Sequence, residues 1–369
     1  MKILYVTTIS LTMNSFFKPH VEMLVQEGHQ VDIACNYKDL ALDNLYSELG
    51  CHSYQIDFSR SPLSVDNVKA YVQLDKLIRQ NDYDIVHCHT PNAAAITRLV
   101  CRKYRKRRGL KVFYTAHGFH FYKGAPILNW LVFYPIEKIC SYFTDKLITI
   151  NKEDFVLAKE RFRAKEVHYV PGVGIDLSKF ENVQVDRAEK RREIGVPEDA
   201  FVLISVGELS ARKNHKMVLD SLISVDNDRF HYIIVGQGKL LPKLKDYVYE
   251  YGIAHKVHFL GYRQDIAELY SVSDICCFPS IHEGLPVALM EAMASGIPVV
   301  CSNIRGNEDL VDKNSGFLID LNNIEEFAKA IIKISKDSEL RANIVNTNLK
   351  KIKDFSESRI LEQLKQLYC

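Results

Sequence analysis

Short runs rich in β-branched and aromatic residues alternate with helical stretches along this chain, and the rhythm pauses near the middle and restarts. In the first half the runs are Lys2 to Thr7, Gln30 to Cys35, Ile85 to Cys88, Lys111 to Thr115 and Lys146 to Ile150. In the second they are Phe201 to Val206, Tyr232 to Val235, Val257 to Leu260, Ile275 to Phe278 and Val299 to Cys301. Strands that are apolar on both faces and separated by helices require a parallel sheet covered on both sides, so the pattern predicts two doubly wound α/β domains. A chain of 369 residues is too long for one ordinary core and suits two. The stretch Asp176 to Asp199 is polar and poor in periodic apolar residues, which reads as the linker. The domains expected are 1–182 and 183–355, followed by a terminal segment, 356–369, whose run Ile360 to Tyr368 is amphipathic.

Charge and composition exclude several classes. With 47% apolar and 25% charged residues and a net charge of +2, the chain reads as globular and has no global bias toward nucleic acid. No apolar run approaches the roughly 20 residues of a membrane-spanning helix. The start, Met1-Lys2-Ile3-Leu4-Tyr5-Val6, reads as a buried strand rather than a signal peptide, so a cytoplasmic protein is expected. Five of the cysteines (Cys35, Cys88, Cys276, Cys277, Cys301) fall within strands, where a reduced thiol acts as a small hydrophobe, and no C-x-x-C pair suggests a metal or disulfide framework.

The chemistry concentrates at 282–300, HEGLPVALMEAMASGIPVV. An apolar helix, Val287 to Ala294, opens at Pro286 and carries one charged residue, Glu291, which needs solvent or a polar partner because burying a lone carboxylate is costly. Glu283 lies in the glycine-bearing loop that enters the helix, beside backbone N–H groups the helix leaves unpaired. That combination suits an oxyanion flanked by hydroxyls; an ordinary helix with a proline start, an early carboxylate and Gly296 as its stop would read the same way. Ligands of doubly wound sheets bind beyond the carboxyl ends of the strands. Arg212 and Lys213 sit there, just before a helix beginning near Asn214 whose dipole opposes them, a sign that a bound anion would reverse. His117 also follows a strand and precedes Gly118. A solvated basic turn and a core histidine are the plainer alternatives.

Glu283-Gly284-Leu285-Pro286 with Glu291 resembles the E-x7-E signature of family 4 retaining glycosyltransferases, which have the GT-B fold of two Rossmann-like domains facing across a cleft. Gly207-Glu208-Leu209 with Arg212-Lys213-Asn214 is similar to that family's phosphate loop, Val235-Gly236-Gln237-Gly238 to its next strand end, and Phe259-Leu260-Gly261 to its base-side loop. In the other half, His117-Gly118-Phe119-His120-Phe121-Tyr122 and Pro171-Gly172-Val173-Gly174-Ile175-Asp176 resemble the branch that builds capsular polysaccharides and exopolysaccharides. The resemblance implies a nucleotide-sugar donor, with UDP the expected nucleotide, and a lipid-linked saccharide acceptor at the inner face of the cytoplasmic membrane. It implies that Gly207, Gly236, Gly261, Tyr262, Gly284, Leu285 and Val287 line the donor site and that Arg212 and Lys213 hold the diphosphate. Glu291 would accept from ribose hydroxyls, Glu283 would hold the transferred sugar, and His117 would lie against it. Retention by front-face attack, with no metal or other cofactor, and a last helix packed back on the first domain complete the expectation. The turn Thr7-Thr8-Ile9-Ser10 departs from the family by lacking paired glycines.

Other signals are weaker. Gly236-Gln237-Gly238 begins like a dinucleotide fingerprint but has Leu241 at the third small position, and Asp82-Tyr83-Asp84 and Asp226-Asn227-Asp228 precede their strands, the wrong end of a sheet for a metal site. His87 and His89 share a strand face without a third ligand, which favours packing. From Ile85 through Ile136 there is no Asp or Glu, while Arg102, Lys103, Arg105, Lys106, Arg107 and Arg108 cluster ahead of Trp130. That patch predicts contact with an anionic membrane surface, with nucleic acid the rival partner and a plain solvated helix end the simpler alternative. A UDP-sugar epimerase of the same architecture and a noncatalytic sugar-nucleotide sensor are the rival functions; only a transferase consumes an acceptor.

Overall fold

Each apolar run becomes one strand of a parallel sheet. The computed structural model describes residues 1–369 and divides into two units, Met1–Val173 with Ile360–Cys369, and Gly174–Arg359. The strands of the first unit are β1 (Lys2–Ile9), β2 (Gln30–Asn36), β3 (Ser53–Gln55), β4 (Ile85–His89), β5 (Lys111–Ala116), β6 (Lys146–Thr149) and β7 (Glu166–Tyr169). They form a seven-stranded parallel sheet in the order β3-β2-β1-β4-β5-β6-β7. The second unit holds β8 (Phe201–Val206), β9 (Phe230–Val235), β10 (Val257–Gly261), β11 (Ile275–Phe278), β12 (Val299–Ser302) and β13 (Phe317–Ile319), ordered β10-β9-β8-β11-β12-β13 and again all parallel. In each sheet the winding reverses once, between β1 and β4 and between β8 and β11, which opens a crevice at the carboxyl ends of those strands. Arg212 and Lys213 follow β8 and Glu283 follows β11, while His117 follows the neighbouring strand β5 of the other sheet.

Three strands escaped the sequence reading: β3, β7 and β13. All are outer strands of three or four residues, half-exposed and paired on one side only, so neither length nor apolar content marks them. The supposed linker is also corrected. Within it a helix, Arg187–Glu193, docks on the second unit through its cations. Arg191 donates to the carbonyls of Val272 and Ala200 and pairs with Asp274 at 2.9 Å, while Lys190 meets Asp265 at 2.5 Å and Glu268 at 2.8 Å. A polar stretch can therefore be structural when its cations find acceptors on the domain it packs against. The division falls at Val173/Gly174 rather than near residue 182, because Ile175 already exchanges backbone hydrogen bonds with Phe355 and Glu357 of the second unit.

The last helix, Glu357–Tyr368, returns to the first unit at Ile360. Ile360, Leu364 and Leu367 pack with Ile148 and Val170, Lys146 donates to the Leu367 carbonyl at 2.8 Å, and the Tyr368 hydroxyl meets His87 Nδ1. His87 bonds Thr115 through its other nitrogen at 2.8 Å, so it is a satisfied core residue. Ile360 is fully buried, and Ile360→Ala is expected to destabilise the first unit by about 2–5 kcal/mol. Denaturant unfolding of the full chain, followed by Trp130 fluorescence, checks this; a midpoint unchanged from wild type would show that the helix adds nothing to that unit.

Candidate active site

Three strand ends in the second unit are stitched together by backbone hydrogen bonds, which forces glycine into the loops. Gly207 N–H donates to the Val235 carbonyl at 2.9 Å and Gly236 N–H to the Gly261 carbonyl at 2.8 Å. A Cβ on Gly236 would stand 2.0 Å from the Gly207 oxygen, and one on Gly238 would stand 2.3 Å from the Leu209 oxygen. No side chain fits, so the floor of the crevice is bare backbone, as close approach of a ligand requires.

On that floor the three charged candidates meet. Glu283 Oε1 accepts from Arg212 Nη1 at 2.6 Å and from Lys213 Nζ at 2.8 Å. Lys213 lies over the Phe278 ring, 4.5 Å from its centroid, and burial lowers its pKa while Glu283 opposes the shift. Arg212 also donates to the His282 carbonyl at 3.2 Å, and its own carbonyl accepts from Ile281 N–H at 2.8 Å, so the loops after β8 and β11 hold each other across the switch point. Two cations thus share one hydrogen-bonded carboxylate, with Glu208 a weaker negative influence on Lys213. The helix Val287–Ala294 starts beside this group with no side-chain cap, leaving its first N–H groups for an anion.

Glu291, one turn into that helix, has no hydrogen-bond partner, and burial raises its carboxyl to about 7, with Lys179 a weaker opposing influence. It does not brace the protein, and its oxygens are left for another partner. Leu285 is buried, Gly284 and Val287 are half-buried, and Tyr262 is exposed on the base-side loop.

In the first unit, His117 Nε2 lies 3.2 Å from Nδ1 of the buried His89. Burial holds His117 neutral, with its pKa lowered to about 4, and also pushes His89 well below the ordinary imidazole value. His89 Nε2 is buried without a partner; an orphaned acceptor is tolerated better than an orphaned N–H, so His89 carries its proton on Nδ1 and donates it. That leaves His117 with Nδ1–H, a fixed donor. The Thr8 hydroxyl is 2.7 Å from that of Thr90, so this turn ties β1 to the end of β4.

The basic cluster is less free than the sequence suggested. Lys103 pairs with Asp75 at 2.6 Å, Arg105 with Asp145 at 2.7 Å and Arg108 with Asp82 at 3.3 Å; Arg102, Lys106 and Arg107 remain exposed without ion pairs. Trp130 faces inward, its ring 5.5 Å from Phe121 and 5.8 Å from Tyr134. The outward residues of its helix, Ile127–Ser141, are instead Ile127, Leu128 and Leu131, 78%, 66% and 69% exposed.

Comparison with known proteins gives this geometry its family. Residues 186–351 match the model for glycosyl transferases group 1, and residues 2–151 match the glycosyl transferase 4-like model. EpsD of Bacillus subtilis (strain 168), named as a glycosyltransferase, is 34% identical over 100% of this chain and 96% of its own length. The chain belongs to the group 1 glycosyltransferases. A further relative, the Escherichia coli UDP-Gal:alpha-D-GlcNAc-diphosphoundecaprenol alpha-1,3-galactosyltransferase, is 28% identical over 94% of this chain and 90% of its own. Anabaena Alr3699/HepE, solved in complex with UDP and glucose, shares the fold with a TM-score of 0.81 at 19% identity, covering 100% of this chain and 99% of that one. The two parallel-sheet domains are those of GT-B glycosyltransferases, and the enzyme is a transferase rather than an epimerase or a sensor.

Two supports of this glycosyltransferase site went unseen in the sequence. Buried Arg305 donates to the Glu283 carbonyl at 3.2 Å, and Gly306 lets its loop lie against Gly284, where a Cβ would come within 2.3 Å of the Gly284 oxygen. Their signal was only an Arg-Gly pair after β12. The raised carboxyl of Glu291 has a measurable consequence. An unfolded glutamate loses its proton near 4.5 and the folded one near 7, so between those values the unfolded chain binds fewer protons and stability falls as pH rises. Glu291→Gln should therefore unfold at higher denaturant than wild type at pH 8, with the gain vanishing toward pH 4.5. A gain independent of pH would show that Glu291 does not titrate as assigned.

Proposed function

We propose that the enzyme transfers a sugar with retention from a UDP-sugar to a lipid-linked saccharide in cell-surface polysaccharide synthesis, at the membrane surface. The observation that carries the reading is the meeting of Arg212, Lys213 and Glu283 beside the uncapped start of Val287–Ala294. In the reaction the bond from the anomeric carbon to the diphosphate oxygen breaks and the acceptor hydroxyl oxygen takes its place. The hydroxyl proton passes to the departing diphosphate, and UDP leaves. The two cations neutralise charge as it builds on that diphosphate, a task a metal performs elsewhere, and no metal or other cofactor is assigned. Glu283, already bonded to both cations, is placed to accept from sugar hydroxyls rather than to attack the anomeric carbon. Glu291 accepts from ribose, and His117 is assigned as a donor to the sugar. The Escherichia coli relative named above supports UDP and a diphosphate-linked lipid, and the EpsD likeness supports an exopolysaccharide.

Arg212→Ala or Lys213→Ala is expected to lower turnover about 100-fold or more, the scale of losing a transition-state charge partner. Glu291→Ala should weaken UDP. Glu283→Gln, by removing the negative charge that shares the cations, should keep or tighten UDP while impairing transfer. Calorimetry with UDP alongside transfer rates checks all three, and weaker UDP binding in Glu283→Gln would reverse the roles given to the carboxylates.

No helix is long and apolar enough to cross a membrane. The exposed apolar stripe of Ile127–Ser141, packed against the helix Pro91–Arg108 that carries Arg102, Lys106 and Arg107, is suited to lie in the plane of an anionic bilayer. Leu128→Ser with Leu131→Ser should abolish co-sedimentation with phosphatidylglycerol vesicles, and neutralising the three cations should weaken it in a salt-dependent way. Full retention by both variants would remove this helix from the membrane contact.

A further inference from the structure

A two-part cavity lies in the first unit, apart from the cluster of Arg212, Lys213 and Glu283 in the second. Its apolar part, about 280 Å³, runs between the helices Pro91–Arg108 and Ile127–Ser141 and is lined by Ala95, Ile96, Leu99, Phe121, Val132 and Ile136. Val132 and Ile136 are also exposed, so the cavity opens onto the apolar face assigned above to the membrane. Its one carboxylate, Glu137, is bound to the buried Arg98 at 2.8 Å and to the Tyr114 hydroxyl at 3.1 Å, leaving it no charge to offer. A second part, about 240 Å³, adjoins the first at Pro62, Pro91, Asn92, His120 and Phe133. Its character is opposite: Thr8, Thr12, Arg60, Thr90 and His120 line it, with no acidic residue.

Arg60 is exposed and makes no ion pair, although the backbone beneath it is fixed by Asn92, whose Nδ2 donates to the carbonyls of Ser59 at 3.0 Å and Arg60 at 2.8 Å. A cation without a counter-ion therefore stands at one end of a hydrocarbon-lined channel. The first N–H groups of Pro91–Arg108, which has no side-chain cap, add donors at that end. Gly118 and Phe119, next to His117, border the apolar part.

We propose that this channel holds the lipid of the acceptor, with the diphosphate against Arg60 and the first isoprene units between the two helices. The assignment rests on the transferase reading for the class of acceptor, and on the polarity of the cavity for where each part lies. A diphosphate joined to a hydrocarbon chain matches the charge at one end and the apolar walls at the other. A free phosphate fits one end only, and an ordinary membrane phospholipid is the competing occupant.

The single tryptophan, Trp130, has its ring 5.5 Å from that of Phe121 in the channel wall, which supplies a probe independent of catalysis. Titration of the full chain with farnesyl diphosphate should change Trp130 emission saturably, with farnesol weaker and inorganic diphosphate and dihexanoylphosphatidylglycerol much weaker. Arg60→Ala, a surface change, should weaken farnesyl diphosphate about tenfold, the scale of a hydrogen-bonded charge contact, and leave farnesol unchanged. Ala95→Phe fills the apolar part and should weaken both prenyl ligands by about tenfold or more. Equal affinity for the phospholipid, or indifference of farnesyl diphosphate to both variants, would overturn the proposal. Transfer to a soluble acceptor analogue reads the catalytic assignment separately: it survives if only the channel is wrong, and it is absent with farnesyl diphosphate still bound if only the transferase reading is wrong.

Discussion

Lys213 and Arg212 are held at the switch point of the second sheet by one carboxylate oxygen of Glu283, and the rest of the site is built to keep that contact in place. A lysine as enclosed as Lys213 loses hydration and would tend to shed its proton; Glu283 and the face of Phe278 keep the charged form in place. Glu283 is fixed in turn from behind, by Arg305 on its own carbonyl and by the close approach that Gly306 allows. Such a cluster is poor evidence of stability, since desolvating charges costs as much as pairing them returns. As the proposed donor site it would be efficient. In the proposed role, two cations bonded to a single carboxylate beside open helix N–H groups would attract a diphosphate, and the groups that meet it would not need to reorganise.

The doubly wound topology explains why these residues converge although they lie far apart in the chain. Parallel strands deliver every carboxyl end to one edge, and the single reversal of winding between β8 and β11 separates two loops enough to admit a ligand. The glycines then lower the floor. Gly236 and Gly238 occur where neighbouring backbone comes closer than any Cβ permits, and a Cβ on Gly207 would press on the Lys213 side chain at 3.0 Å, so the loops pack on each other instead of filling the crevice with side chains. In the first unit the same topology is used differently: Thr8 and Thr90 close the gap between β1 and β4, and the open volume shifts outward toward Arg60 and the helix Ile127–Ser141.

The central strands and the helix Val287–Ala294 were legible because buried parallel strands are continuously apolar and because Pro286 and Gly296 punctuate that helix. The outer strands β3, β7 and β13 were not, since a short, half-exposed edge leaves no periodic signal. Asp176 to Asp199 was misread as linker because composition alone cannot show that Lys190 and Arg191 find acceptors on a distant part of the chain. The helix Ile127–Ser141 was legible as a region but not in its facing: Trp130 reads from the sequence as an interfacial aromatic, yet packing against Phe121 turns it inward and leaves Leu128 and Leu131 exposed. Contacts such as Arg305 on Glu283 and His89 on His117 depend on tertiary placement, and no spacing in the sequence announces them.

The central claim is that the Arg212, Lys213 and Glu283 cluster recognises a diphosphate. Calorimetric titration of UDP and UMP into wild type and the Arg212→Ala/Lys213→Ala double variant tests it most directly. Loss of two charge-assisted contacts corresponds to about 100-fold in affinity. Wild type is predicted to prefer UDP over UMP by about that factor, and the double variant to bind the two nearly alike. An unchanged preference for UDP in the double variant would contradict the account.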